Sequence, residues 1–210
     1  MSKPINVLNV LSNLEEQRLS HRIWDKDHTV WNPYPFEVED RLGWIDLVAD
    51  VKSEVDLIES FAAEIKQERY KHVVLLGMGG SILGPLVLSQ TFGKKFGYPQ
   101  LLVLDSTIPD AVNFVTNAID PNSTLFLVSS KSGTTVETNA LYNYFRNLVS
   151  NTQQEHDGHG SQFVAITDQG TALEKMAYET KFRQIYLNPR DVGGRYSVLS
   201  YFGMVPAALS

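Results

Sequence analysis

Apolar positions return at helical spacing from Ile5 to about Arg69. Leu8, Leu11 and Leu14 lie three apart, and Val51, Val55, Ile58 and Phe61 form one stripe. Between these runs stands WDKDHTVWNPYPFEVEDRLGW, which has no period and reads as an irregular connector. Its tryptophans, Trp24, Trp31 and Trp44, are expected as core or interface anchors rather than as stacking platforms for a ligand. Past Tyr70 the pattern changes. Short apolar runs at His72–Leu76, Leu101–Leu104, Thr124–Val128, Phe163–Ile166 and Gln184–Leu187 end in Gly, Asp, Ser or Asn. They are too short for free-standing helices and rich in Val, Leu and Ile, as buried strands are. Helical patterns separate them at roughly Leu83–Phe92, Asp110–Ala118, Val136–Val149 and Thr171–Glu179. Strands apolar throughout, alternating with helices, predict a parallel sheet covered on both faces with right-handed crossovers. Two parts follow: an N-terminal helical segment over 1–69 and an α/β domain over 70–210. The stretch from Asn151 to Gln162 is expected as a polar surface loop.

Composition narrows the function classes. The chain has 210 residues, is 43% hydrophobic and 20% charged, and carries a net charge of −6. That balance argues against a nucleic-acid surface, although a few donors can still form a local anion site. With no cysteine, disulfides, thiolate catalysis and cysteine-bound metals are excluded. No apolar run approaches a membrane span, and the N-terminus has no signal-peptide pattern. The expectation is a cytoplasmic protein with no membrane or nucleic-acid partner. His28, His72, His156 and His159 match no catalytic pattern, and neither metal nor cofactor is expected.

Polar clusters fall at the carboxyl ends of three predicted strands, where doubly wound sheets bind ligands. The first is GMGGSILGP, Gly77 to Pro85. It lacks the Gly-Lys-Ser/Thr of a P-loop. A dinucleotide fingerprint fits Gly77 and Gly79 but meets Ile82 at its third glycine, with Asp105 as a stand-in for the ribose acid. That reading and a tight structural turn both remain open. The second is SSKSGTTVET, where Ser130, Lys131, Ser132, Thr134 and Thr135 precede the helix starting at Val136. Hydroxyls, one ammonium and a helix N-terminus are what a phosphate dianion requires, whereas a simple N-cap needs one such residue. The third is DVGGRYSVLS, Asp191 to Ser200, where Arg195 could clamp an oxyanion or pair with Asp191.

These three motifs, in this order after successive strands, resemble the phosphoglucose isomerases and more broadly the sugar isomerase (SIS) domain family. The resemblance covers about residues 70 to 210. The run RIWDKDHTVW is further similar to the isomerase half of bifunctional transaldolase/phosphoglucose isomerases. The resemblance implies a three-layer α/β/α domain around a five-stranded parallel sheet of flavodoxin-like order. It also implies that Ser130, Lys131, Ser132 and Thr135 grip the 6-phosphate of a hexose, beside Thr134. Gly79, Gly80 and Ser81 would lie along the sugar, Arg195 would face the reacting carbons, and Glu137 would support the catalytic groups.

In that family the base glutamate, a ring-opening histidine and a late lysine lie downstream, in a second SIS domain and beyond. The chain is therefore expected to be a piece of a longer, homodimeric isomerase that binds phosphosugar without useful turnover. Its apolar end, VLSYFGMVPAALS, is expected to pack against the missing half. The competing class is a non-catalytic sugar-phosphate-binding SIS module.

Overall fold

Alternation along one strand decides the layering. In β1 (His72–Gly77), Val73 and Leu75 join one apolar cluster and Val74 and Leu76 join another, all four fully buried. Successive side chains of a strand point to opposite faces, so β1 must be covered on both. The structure is a computed structural model and describes residues 6–152 and 160–210. Its sheet has five parallel strands in the order β2-β1-β3-β4-β5, with β2 Gln100–Leu104, β3 Thr124–Ser129, β4 Phe163–Asp168 and β5 Gln184–Asn188. This is the expected flavodoxin-like order. Each strand begins within one residue of its predicted start. β2 ends where predicted, and the others run one or two residues further.

Helices α3 (Leu47–Gln67), α4 (Gly80–Phe92) and α8 (Tyr201–Ala208) cover one face. Helices α5 (Pro109–Ala118), α6 (Val136–Thr152) and α7 (Ala172–Glu179) cover the other. The second layer is rich in rings. Phe126 lies between Phe145 and Phe163 at centroid distances of 5.1 and 5.2 Å, and Tyr142 meets Phe163 edge-on at 5.3 Å. Such pairs add cohesion beyond the area they bury. Helix α3 belongs to the predicted N-terminal segment, yet its Ile58, Phe61, Ala62 and Ile65 are core residues beneath the sheet. Helices α1 (Val7–Glu16) and α2 (Leu19–Trp24) bury no residue. No described helix is long and apolar enough to cross a membrane.

Three expectations change. Helix α4 starts at Gly80, three residues before its apolar pattern, because the helix opens on Gly-Ser rather than on an apolar residue. Trp24, Trp31 and Trp44 are 69%, 47% and 37% exposed, so none anchors the core. Most of the connector keeps to the surface in short turns, although Leu42 is buried, and Trp44 stacks on Tyr196 at 5.8 Å. The apolar end packs in part on its own domain, while Val198 and Leu199 remain 41% and 42% exposed. Ser200 caps α8 by accepting from the Phe202 N–H at 3.3 Å, and Phe202, Val205 and Leu209 complete the first layer's core. Most of the expected 151–162 loop, with His156 and His159, lies outside the described residues.

The placement of α8 makes a measurable difference. Phe202→Ala should cost about 3–5 kcal/mol in urea unfolding, the loss expected for a buried aromatic. A cost near zero would mean that α8 is not part of this domain's core.

Candidate functional site

Four loops leave the carboxyl ends of β1, β3, β4 and β5 and enclose a cleft of about 670 Å³. The β1–α4 loop brings Met78, Gly80 and Ser81, and the β3–α6 loop brings Lys131, Ser132, Thr134 and Thr135. Asp168 to Ala172 come from the end of β4, and Arg190 and Gly194 from beyond β5. The glycine-rich loops meet directly. A Cβ on Gly80 would collide with the Gly194 carbonyl, so only glycine permits this approach. Ser197 steadies the same carbonyl by donating to it at 2.7 Å, and Ser129 ties β3 to the first loop by donating to the Ser81 carbonyl at 3.2 Å.

The β3–α6 loop is organised by its own hydroxyls. Ser130 is buried, shares a 2.9 Å hydrogen bond with the Thr135 hydroxyl and accepts from the Gly133 N–H at 3.1 Å. Ser132 accepts from the Thr134 N–H at 3.2 Å and from its hydroxyl at 3.0 Å. The first-turn N–H groups of α6 have no partner within the helix, and the dipole puts partial positive charge there.

Lys131 crosses the cleft. Its ammonium pairs with Asp168 and donates to the Arg190 carbonyl at 3.1 Å, linking the loops after β3, β4 and β5. Arg190 in turn donates through Nε and Nη2 to the Gln169 carbonyl, at 2.9 and 2.6 Å. Asp168 is only 10% exposed in its side chain, and its Oδ1 is buried without a hydrogen-bond partner. Burial raises its carboxyl above the ordinary value, against the opposing pull of Lys131 and then Arg190.

Of the residues singled out in the sequence, Gly80, Ser81, Lys131, Ser132, Thr134 and Thr135 line one cleft. Gly79 sits at the cap of α4 with φ +55°. Ser130 lies beneath the loop, and Glu137 is exposed on the first turn of α6, outside the lining. Arg195 is exposed beside Gly194 and forms no ion pair among the described residues; Asp191, its suggested partner, faces Lys26 at 3.9 Å instead. Sequence reasoning missed Asp168, Gln169, Gly170, Thr171 and Arg190. The signal was present, because DQGT follows the fourth apolar run as the other motifs follow theirs.

Residues 44–210 match the family described as phosphoglucose isomerase. The chain belongs to the phosphoglucose isomerase family. A glucose-6-phosphate isomerase of Prochlorococcus marinus is 31% identical over 209 residues, covering 95% of this chain and 37% of that protein. One from Campylobacter jejuni is 31% identical over 183 residues, covering 85% of this chain and 44% of its own. Among solved structures, a hypothetical protein from Thermus thermophilus superposes with a TM-score of 0.77 at 27% identity, over 96% of this chain and 45% of that one. A glucose-6-phosphate isomerase from Chlamydia trachomatis gives 0.66 at 25% identity, over 90% and 34%. The chain thus spans less than half the length of these relatives.

Two substitutions probe this geometry. Gly80→Ala must force the two glycine loops apart, and overpacking of this kind costs about 1–3 kcal/mol; an unchanged melting temperature would show that the contact is not tight. The folded chain holds the Asp168 proton more tightly than the unfolded chain does. The resulting stability is full below the ordinary value of 3.8 and is lost as pH rises through the raised one. Asp168→Asn should therefore melt above the parent at pH 7, with the gap closing in acid. A variant less stable at pH 7 would contradict this sign.

Proposed function

We propose that this cleft grips the phosphate of a hexose 6-phosphate and forms part of a glucose-6-phosphate isomerase site. One observation carries the reading: the Lys131 ammonium and the hydroxyls of Ser132, Thr134 and Thr135 line the same cleft as they lead into α6. Charge-assisted hydrogen bonds contribute roughly 1.5–3 kcal/mol each, so a few of them suffice for a small phosphorylated ligand. Ser130 contributes by holding Thr135 in place. Gly79, Gly80 and Ser81 run along the sugar chain from the β1 side.

Aldose–ketose isomerisation removes a proton from the carbon next to the carbonyl, passes through an enediolate and returns the proton to the neighbouring carbon. Arg195 supplies the cation that stabilises the enediolate, since no carboxylate among the described residues neutralises it. Glu137 supports the catalytic groups from the start of α6. The base is a different matter. Among the described residues, Asp168 is the only carboxylate lining the cleft, and Lys131 occupies it. We place the base outside these 210 residues, and removal of a general base costs about 10²–10⁴ in rate. The same occupied carboxylate favours a second reading, a sugar-phosphate-binding module without turnover even in a longer parent.

Calorimetric titration with fructose 6-phosphate, alongside inorganic phosphate and an isomerase assay, tests both parts. Saturable binding without turnover is expected, weakened about tenfold or more in Lys131→Ala, Ser132→Ala. Binding indifferent to that double variant would remove the cradle. Turnover by this chain would place the base within it. Binding without turnover in a longer parent would favour the module over the isomerase.

A further inference from the structure

The opposite end of the sheet carries a second concentration of charge. At the amino ends of β1 and β2, a hollow of about 650 Å³ is lined by Lys66, Arg69, Lys71, His72 and Lys94, with Tyr98 and Phe96 beside them. Lys95 joins the group, since its ammonium lies 5.0 Å from the Tyr98 ring centre, and that of Lys66 lies 4.7 Å from the same centre. Gly97 shapes this turn: its φ is +83°, and a Cβ there would sit 3.0 Å from Lys66 Cε. Phe96 is 98% exposed.

Ordinary surface electrostatics do not account for this group. Lys66, Arg69, Lys94 and Lys95 form no ion pair among the described residues, and Lys71 has only Asp120 at 3.9 Å. Lys66 stands in the last turn of α3, and Lys94 and Lys95 follow α4, where cations suit a helix C-terminus. Each terminus, however, offers only roughly half a negative charge. Glu64 and Glu68 are engaged by Arg183, and that trio has one negative charge in excess. Five basic side chains set against these terms leave a surplus of about two positive charges, in a chain whose net charge is −6. The field is felt locally. Burial first, then Lys94 and Lys71, push the His72 imidazole below its ordinary value, and its buried Nδ1 has no hydrogen-bond partner.

We propose that this hollow is a binding site for a small oligophosphate, distinct from the cleft at the carboxyl ends of the strands, with Lys66, Arg69, Lys71, Lys94 and Lys95 as its phosphate contacts. Consecutive phosphates concentrate several negative charges within the reach of these side chains, which a single phosphate does not. The chemistry is shared by a free polyphosphate and by the tail of a nucleotide; in the second case the exposed Phe96 ring is the platform for the base. Placed across the sheet from the phosphosugar cleft, such a ligand would act by stabilising the fold rather than by competing for that cleft.

The test is calorimetry and thermal melting of this chain with tripolyphosphate, ATP, inorganic phosphate and a duplex oligonucleotide, in magnesium-free buffer at two salt concentrations. Tripolyphosphate is expected to bind and raise the melting temperature, more strongly at low salt. Lys66→Ala, Lys94→Ala should weaken it about tenfold or more, while Lys131→Ala, Ser132→Ala should leave it unchanged. ATP tighter than tripolyphosphate, with the advantage lost in Phe96→Ala, would assign the nucleotide; equal affinities would assign the phosphate chain alone. The proposal is overturned if the Lys66/Lys94 variant binds tripolyphosphate as the parent does, if the Lys131/Ser132 variant abolishes binding, or if only the duplex binds. A failed phosphosugar titration would leave this result untouched, because the two sites share no residue.

Discussion

The contact between the glycine-rich β1–α4 and β5–α8 loops is the constraint around which the cleft is arranged. Gly80 lies against the Gly194 carbonyl so closely that any side chain at 80 would collide with it. Backbone meeting backbone fixes two sides of the cleft at once, and it does so without a side chain that could change rotamer. Ser197 and Ser129 extend this frame, one by donating to the Gly194 carbonyl and the other by linking β3 to the Ser81 carbonyl. Gly80 thus serves loop-to-loop packing, since a Cβ there would meet the Gly194 carbonyl.

Electrostatics then distinguish the walls. Lys131 is held by Asp168 and by the Arg190 carbonyl, so three loops converge on one ammonium. A pair this sheltered contributes less than its Coulomb attraction suggests, because both ions give up water. The raised Asp168 carboxyl expresses that cost, with burial the larger effect and Lys131 the smaller. The ammonium has three donors and two of them are committed, which leaves capacity for an incoming anion. Arg195 contrasts with it. It stands exposed with no carboxylate partner among the described residues, so its charge is not offset locally.

The two candidate sites thus lie at the two ends of one sheet, and packing explains why its middle carries none. The faces of β1, β3 and β4 are covered by helices and buried almost completely, which leaves only loop ends for polar chemistry. The carboxyl end holds the cleft. The amino end collects basic side chains from the C-terminal side of α3 and α4, where the helix dipoles accept them.

The sequence by itself determined the five strands, the helices between them and the layered class, because uninterrupted runs such as VVLLG and LFLVS can only be buried on both faces. It also marked Gly80, Ser81, Lys131, Ser132, Thr134 and Thr135, since their residue types cluster at strand ends. What it could not determine are relations between distant segments. That Lys131 pairs with Asp168, that Gly80 abuts Gly194 and that Arg190 joins the cleft follow from strand order, not from local pattern. The same limit explains the tryptophans and α8. Hydrophobicity identifies residues that prefer burial, but only the packed helices decide that Phe202 finds a core and Trp24 does not.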